Sequence, residues 1–190
     1  LFTGASSFTG FWFVKALRQA GAEVVCALTG GVERYQGLRG ERVKLLQGLC
    51  RFELHAPFGS EPFLELARRE RWDLVCHHGA EVTDYRSPEF DPINALAANA
   101  RSARLVLAAL REGGLKGLVL TGSVFENDEG LGNEPLRAFS PYGLSKGLTY
   151  QVFRFYCERA GVALGKFVIP NPFGPYEEAR FTAYLMRQWQ

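Results

Sequence analysis

Tyr142 and Lys146 stand four residues apart in Ser140-Pro-Tyr-Gly-Leu-Ser-Lys146, a spacing that puts a phenol and an ammonium on one face of a helix. Ser140 is a good N-cap, and Pro141 suits the first helical position, where its missing N–H is not needed. A helix is therefore predicted to start there. Free tyrosine titrates near ~10, and a neighbouring lysine cation favours the phenolate and is expected to lower that value. Such a pair can exchange a proton with a hydroxyl or a carbonyl. The same spacing also suits a plain core tyrosine beside a solvated lysine.

A second group of residues lies at the other end of the chain, in Thr3-Gly-Ala-Ser-Ser-Phe-Thr-Gly10. Leu1 and Phe2 read as the end of an apolar strand, and a helix is predicted from Thr9 to Ala20, stopped by Gly21. Strand, glycine turn and helix in that order form a phosphate-binding corner. Gly4 permits the tight turn, and Gly10 lets the helix lie close to the sheet. Ser6, Ser7, Phe8 and Thr9 place N–H groups where a pyrophosphate can be held. Ser7 occupies the middle glycine position of such turns, where its side chain either crowds the phosphates or donates a hydroxyl.

These two groups need a scaffold, and the alternation of short apolar runs with longer helical stretches predicts a parallel sheet covered on both faces. Strands are expected near Leu1–Thr3, Glu23–Leu28, Phe52–His55, Leu74–His77, Gly117–Thr121 and Phe167–Ile169. Asp91-Pro92 starts a helix expected to run to Gly113-Gly114, Ser60 caps another, and the helix at Pro141 reaches about Ala160. The glycine- and charge-rich stretch from Gly30 to Gly48 carries no clear period. With 190 residues, 47% hydrophobic and 22% charged, the chain can bury a core as one globular domain. A net charge of +2 makes no case for nucleic acid or membrane. Cys26, Cys50, Cys76 and Cys157 lack C-x-x-C spacing, so reduced cysteines in a cytoplasmic protein are expected, with no metal site.

Glycine turn, Y-x-x-x-K and the order of segments between them resemble the extended short-chain dehydrogenase/reductase family, in its NAD(P)-dependent nucleotide-sugar epimerase/dehydratase branch. Asp73-Leu-Val-Cys-His-His-Gly-Ala80 is similar to the fourth-strand segment of that family, Asn99 to its helix asparagine (with Ser102 for the usual glycine), and Leu120-Thr-Gly-Ser-Val-Phe-Glu126 to the fifth-strand segment. Ile169-Pro-Asn-Pro-Phe-Gly-Pro175 is similar to its N-x-x-G-P segment. The resemblance implies a Rossmann-type α/β fold, with a dinucleotide-binding domain over 1–175 and the start of a truncated substrate lobe over 176–190. It implies catalytic roles for Tyr142, Lys146 and a fifth-strand hydroxyl, which register assigns to Thr121 or, with a short shift, Ser123. Cofactor contacts fall on the glycine turn and on His77, Gly79, Ala80, Asn99, Pro170, Tyr142 and Lys146. Val82 and Asn171 are the implied substrate contacts, and a nucleotide sugar is the implied substrate.

The end of the second strand, at Leu28 or Thr29, lacks the carboxylate that would accept from the adenosine ribose of NAD. Arg34 and Arg39 follow, which leans the expectation from NAD toward NADP. His55 stands near where the family commonly has an adenine-contacting Asp. A 4,6-dehydratase of the family carries Asp and Glu directly after its catalytic Thr, whereas Gly122 and Ser123 stand here and Glu126 is out of register. An epimerase is thus expected first, a keto-sugar reductase second, and a catalytically idle sensor or scaffold third. By resemblance a homodimer would use two helices per subunit, with Leu105, Val106, Ala109 and Leu110 on one and Val152, Phe153 and Tyr156 on the other. The same residues would equally cover the sheet.

Overall fold

The computed structural model describes residues 1–130 and 135–189, the side chains of Ala183 and Arg187 excepted. Six strands and seven α-helices alternate along these residues: β1 (Phe2–Thr3), α1 (Phe8–Gln19), β2 (Val25–Ala27), α2 (Gly37–Gln47), β3 (Arg51–Glu53), α3 (Glu61–Arg69), β4 (Leu74–His77), α4 (Pro92–Asn99), α5 (Ala103–Glu112), β5 (Gly117–Ser123), α6 (Pro141–Ala160), β6 (Ala163–Ile169) and α7 (Phe181–Gln188). Every pairing is parallel, in the order β3-β2-β1-β4-β5-β6. This is the doubly wound Rossmann order. The chain reverses its direction of winding between β1 and β4, and a crevice opens at the carboxyl ends of those strands.

Side chains alternate across each strand, which divides the core in two. Val75, Leu118 and Leu120 face α3, α5 and α6, where Phe63, Leu107, Leu110 and Phe153 close the layer. Phe2, Cys26 and Leu28 face the other way, against Phe11 and Val14 of α1 and Val43 and Leu46 of α2. Capping fixes where the helices begin. The hydroxyls of Ser60 and Ser140 accept from the N–H groups of Phe63 and Gly143, and the carboxylate of Asp91 accepts from Ile93 and Asn94.

Several expectations are corrected. The single helix predicted from Asp91 to Gly113 is two, because the Asn99 carbonyl accepts from the His77 ring instead of from its own helix, and the Ala103 N–H turns to Ala100. Ser102 then takes a left-handed conformation, with φ 51°, which explains why a glycine suits this position. The unassigned stretch from Gly30 to Gly48 holds a short 3-10 turn (Val32–Arg34) and α2. β5 and β6 are longer than predicted, since they pair over seven residues each. β3 ends at Glu53, and His55 lies beyond it at φ 54°.

Of the proposed dimer faces, Val106, Ala109, Leu110 and Phe153 are buried in the core, while Leu105 remains exposed. The four cysteines are free. Among the described residues no helix is long and apolar enough to cross a membrane, and no cluster of metal-ligating side chains occurs.

Candidate active site

The glycine turn owes its shape to two close approaches. Gly4 has φ 79°, and a Cβ there would meet Gly79 N at 2.6 Å; a Cβ on Gly10 would meet Gly4 O at 2.2 Å. Any side chain at either position would force β1, β4 and α1 apart. The two readings of Ser7 resolve into a third. Its hydroxyl donates to Gly4 O at 2.9 Å and accepts from Gly10 N at 3.0 Å, so it caps α1 and its proton is committed within the turn. The amides of Phe8 and Thr9, in the first turn of α1, have no acceptor among the described residues. They are free donors at the helix start of the corner.

Two adjacent histidines lock this corner to the rest of the sheet, and bonding partners assign their tautomers. His77 Nε2 lies 2.9 Å from the Asn99 carbonyl, which only accepts, so Nε2–H donates there and Nδ1 accepts a hydrogen bond from Thr3 Oγ1 at 2.8 Å. Thr3 Oγ1 in turn accepts from Gly79 N. With the Ser7 proton already given to Gly4, His78 Nε2–H donates to Ser7 Oγ at 2.9 Å and Thr9 Oγ1 at 3.1 Å, and His78 Nδ1 accepts from Thr121 Oγ1 at 2.9 Å. Burial first, and then nearby Lys146, push His77 down to about 4 and His78 down to about 3; the Asn99 hydrogen bond opposes this at His77. Both rings are neutral at neutral pH.

Beside this corner lies a cleft of about 320 Å³, lined by Gly4, Ser6, Thr29, Tyr35, Arg39 and Asn99 among others. The close backbone approach of Gly4 to Gly79, the free α1 amides and a cleft of this size fit a dinucleotide. Thr29 is exposed at the cleft edge and is bonded to the Tyr35 hydroxyl. Arg39 donates to Ser6 Oγ at 3.0 Å and lies over the Tyr35 ring. Arg34 and His55 are exposed and do not line the cleft, whereas Arg39 does. Gly79 and Ala80 line its wall. Asn99 is buried, and its side-chain oxygen accepts from Glu81 N at 2.7 Å.

On α6, Lys146 is buried and lines a small polar cavity whose other walls include His77, Gly79 and Asn99. These three residues also line the larger cleft, so the two spaces share a wall. Burial pushes the Lys146 ammonium down to about 8, although Glu126 acts to raise it. Tyr142, one turn earlier, sits against the rings of Tyr85 and Phe90. Burial, Tyr85 and Glu126 push its phenol up to about 12, the reverse of the expected lowering, because all three disfavour the phenolate and Lys146 is not among the groups that act on it. Glu126 Oε2 is the one fully buried side-chain oxygen or nitrogen without an aligned partner among the described residues. The Tyr142 hydroxyl, which makes no hydrogen bond there, is thus open to solvent or ligand.

Neither candidate hydroxyl bonds to Tyr142. Thr121 reaches the Lys146 cavity but gives its proton to His78, and Ser123 Oγ is buried and accepts from Phe125 N at 3.2 Å. Val82 is exposed in a groove with Tyr85, Arg86 and Arg180, while Pro170 and Asn171 are exposed outside both cavities. Sequence reasoning missed His78 as a bridge and Lys166 altogether. It noted Glu126 only as out of register, yet Glu126 lines the cavity. The adjacent histidine pair was the one available signal.

The NAD dependent epimerase/dehydratase family matches residues 1–190. A search of curated proteins gives no match. Among solved structures, a dTDP-glucose 4,6-dehydratase from Streptomyces venezuelae with NAD bound is similar at 24% identity and TM-score 0.73, covering 99% of this chain and 61% of its own. The UDP-glucose 4-epimerase of Thermotoga maritima with UDP-glucose is similar at 19% identity and TM-score 0.69, covering 93% and 57%. The Bacillus cereus UDP-glucuronic acid 4-epimerase with NAD gives 19%, TM-score 0.70, 93% and 58%. The chain therefore spans about three fifths of the length of these structures, and at such identities the likeness shows the fold.

Proposed function

The chain belongs to the NAD dependent epimerase/dehydratase family, and on that footing we propose that it serves an NAD(P)-dependent, nucleotide-sugar epimerase-like oxidoreductase. One observation carries the reading. Lys146 and the dinucleotide cleft share the wall formed by His77, Gly79 and Asn99, while Tyr142, one turn away on the same helix, keeps its hydroxyl uncommitted. When bound, the nicotinamide supplies a site that accepts and returns a hydride. The α1 amides of Phe8 and Thr9 would hold its pyrophosphate, and Gly4 and Gly79 give it room. Tyr142 would move the proton of the sugar hydroxyl, and the Lys146 cation would stabilise the phenolate that results. Thr121 would hold the reacting oxygen by donating to it, which requires its hydroxyl to turn from His78 Nδ1.

The relatives with a named cofactor bind NAD, yet no carboxylate stands at Thr29 and Arg39 faces the cleft. These features favour a lean to NADP. Arg39→Glu is expected to reverse any preference for NADPH over NADH, by about tenfold or more in Kd, since it replaces a phosphate donor by a repelling charge. Equal affinities before and after the substitution would remove the argument. The activity itself is tested with the intact protein and UDP-glucose, UDP-glucuronic acid or dTDP-glucose, following the sugar by NMR. Appearance of an epimer without net consumption of cofactor supports the proposal. Reduction of a keto-sugar with consumption of NADPH would move the assignment to a reductase, and cofactor binding without turnover of any sugar would favour an idle sensor.

A further inference from the structure

The Lys146 cavity holds a carboxylate for which the proposed chemistry has no use. Glu126 is 1% exposed, immediately after β5, and its Oε1 accepts from Ser123 N at 2.7 Å. Its Oε2 lies 2.8 Å from Nζ of Lys166, which reaches in from β6. Lys166 also bonds Glu129 and sits 4.5 Å over the Tyr150 ring of α6. Room for this arrangement exists because residue 122 is glycine. A Cβ there would lie 2.9 Å from both Glu126 Oε1 and Lys166 Cε.

Glu126 is thus held through both oxygens, and a buried carboxylate fixed in this way acts electrostatically on any cation that shares its cavity. The groups around it are Ser123 from β5, Lys166 from β6, Glu129 from the loop after β5, Tyr142, Lys146 and Tyr150 from α6, and the neutral His77 of β4. Lys166 is shared with Glu129. Among the described residues Lys146, lining the same cavity, is the one cation of this group without a carboxylate of its own.

We propose that Glu126, clamped by Lys166 and by the Ser123 amide, is a positioning residue: the internal counter-ion that keeps Lys146 charged in its buried place and holds the end of β5 against α6. The inference rests on the reading of Tyr142 and Lys146 as the reacting pair. The sign of each coupling follows from charge. Glu126 favours protonated Lys146, and Lys166, a like charge, disfavours it. Removing Glu126 must therefore lower the Lys146 titration point further, and removing Lys166 must raise it.

The test is a pH titration of the intact, cofactor-free protein labelled with 13C at lysine Cε, with the Lys146 signal identified by its loss in Lys146→Met. Glu126→Gln is expected to move the Lys146 midpoint down by about one pH unit, a tenfold loss of proton affinity. Lys166→Met is expected to move it up. Midpoints that stay in place, or that move in one common direction, overturn the inference, and if Glu126→Gln does not fold, Lys166→Met decides alone. Turnover separates the two levels of the account. If Lys146→Met leaves turnover intact, the functional reading fails. If it abolishes turnover while the midpoints of the other two variants do not move, the functional reading stands and the counter-ion role fails.

Discussion

Tyr142→Phe is expected to lower kcat by about 10²–10⁴-fold, the usual worth of a positioned acid–base group, while leaving the dissociation constant of the dinucleotide within about twofold. The substitution removes one oxygen. The ring stays packed against Tyr85 and Phe90, so α6 is not displaced. In the ligand-free protein burial holds the phenol near 12, so Tyr142 rests protonated at neutral pH. It becomes a base only when a cation at the site offsets the desolvation, and in the proposed function Lys146 would supply that cation. Steady-state kinetics and cofactor titration by fluorescence check both halves of the expectation. A variant that keeps wild-type kcat would assign the acid–base role elsewhere.

Stability is expected to fall steeply as pH drops from about 6.5 toward 4. His77 and His78 have folded-state values near 4 and 3, below the ordinary ~6.5 of an unfolded histidine. Between these limits the unfolded chain binds more protons than the folded one, so the unfolding free energy decreases as protons are added. Each histidine contributes up to about 1.4 kcal/mol per pH unit, or about 2–3 kcal/mol per unit for the two together. Their contribution is fully present above about pH 6.5. Urea denaturation at several pH values measures the slope, and His78→Gln should reduce it by about half. A stability that stays flat across this window would mean that the rings are hydrated or charged in the folded state.

Much of the fold was legible because its signals are local. The serines at 60 and 140 and Asp91 announce helix starts within one turn, and strand runs such as Leu118–Leu120 have no competing period. The break at 100–102 was hidden because its cause is the ring of His77, 22 residues away. The helix from Gly37 to Gln47 was obscured by its own glycines and charges, and what fixes it is tertiary: Arg42, fully buried, donates to Ser6 O and Tyr176 O. In the site, the glycine turn and the tyrosine–lysine spacing are readable because backbone geometry imposes them. The place of Glu126 is not. It depends on Lys166, 40 residues later, and on a missing Cβ at Gly122. A lysine in an edge strand reads as a solvated charge until the structure folds it inward. Arg34 and Arg39 are likewise equivalent in sequence, and only the path of the chain through Tyr35 brings the second to the cleft.

The proposed role of α6 is to present Tyr142 and Lys146 to a sugar carbon beside the nicotinamide. Its most direct measurement is a single turnover of the intact protein, loaded with oxidised cofactor and mixed with a nucleotide sugar deuterated at the carbon that reacts, with the cofactor recovered and weighed by mass spectrometry. Deuterium is expected on the nicotinamide in the wild type and absent in Tyr142→Phe. Wild-type protein that binds both sugar and cofactor yet transfers no label, or a Tyr142→Phe variant that transfers it at the wild-type rate, would contradict the account.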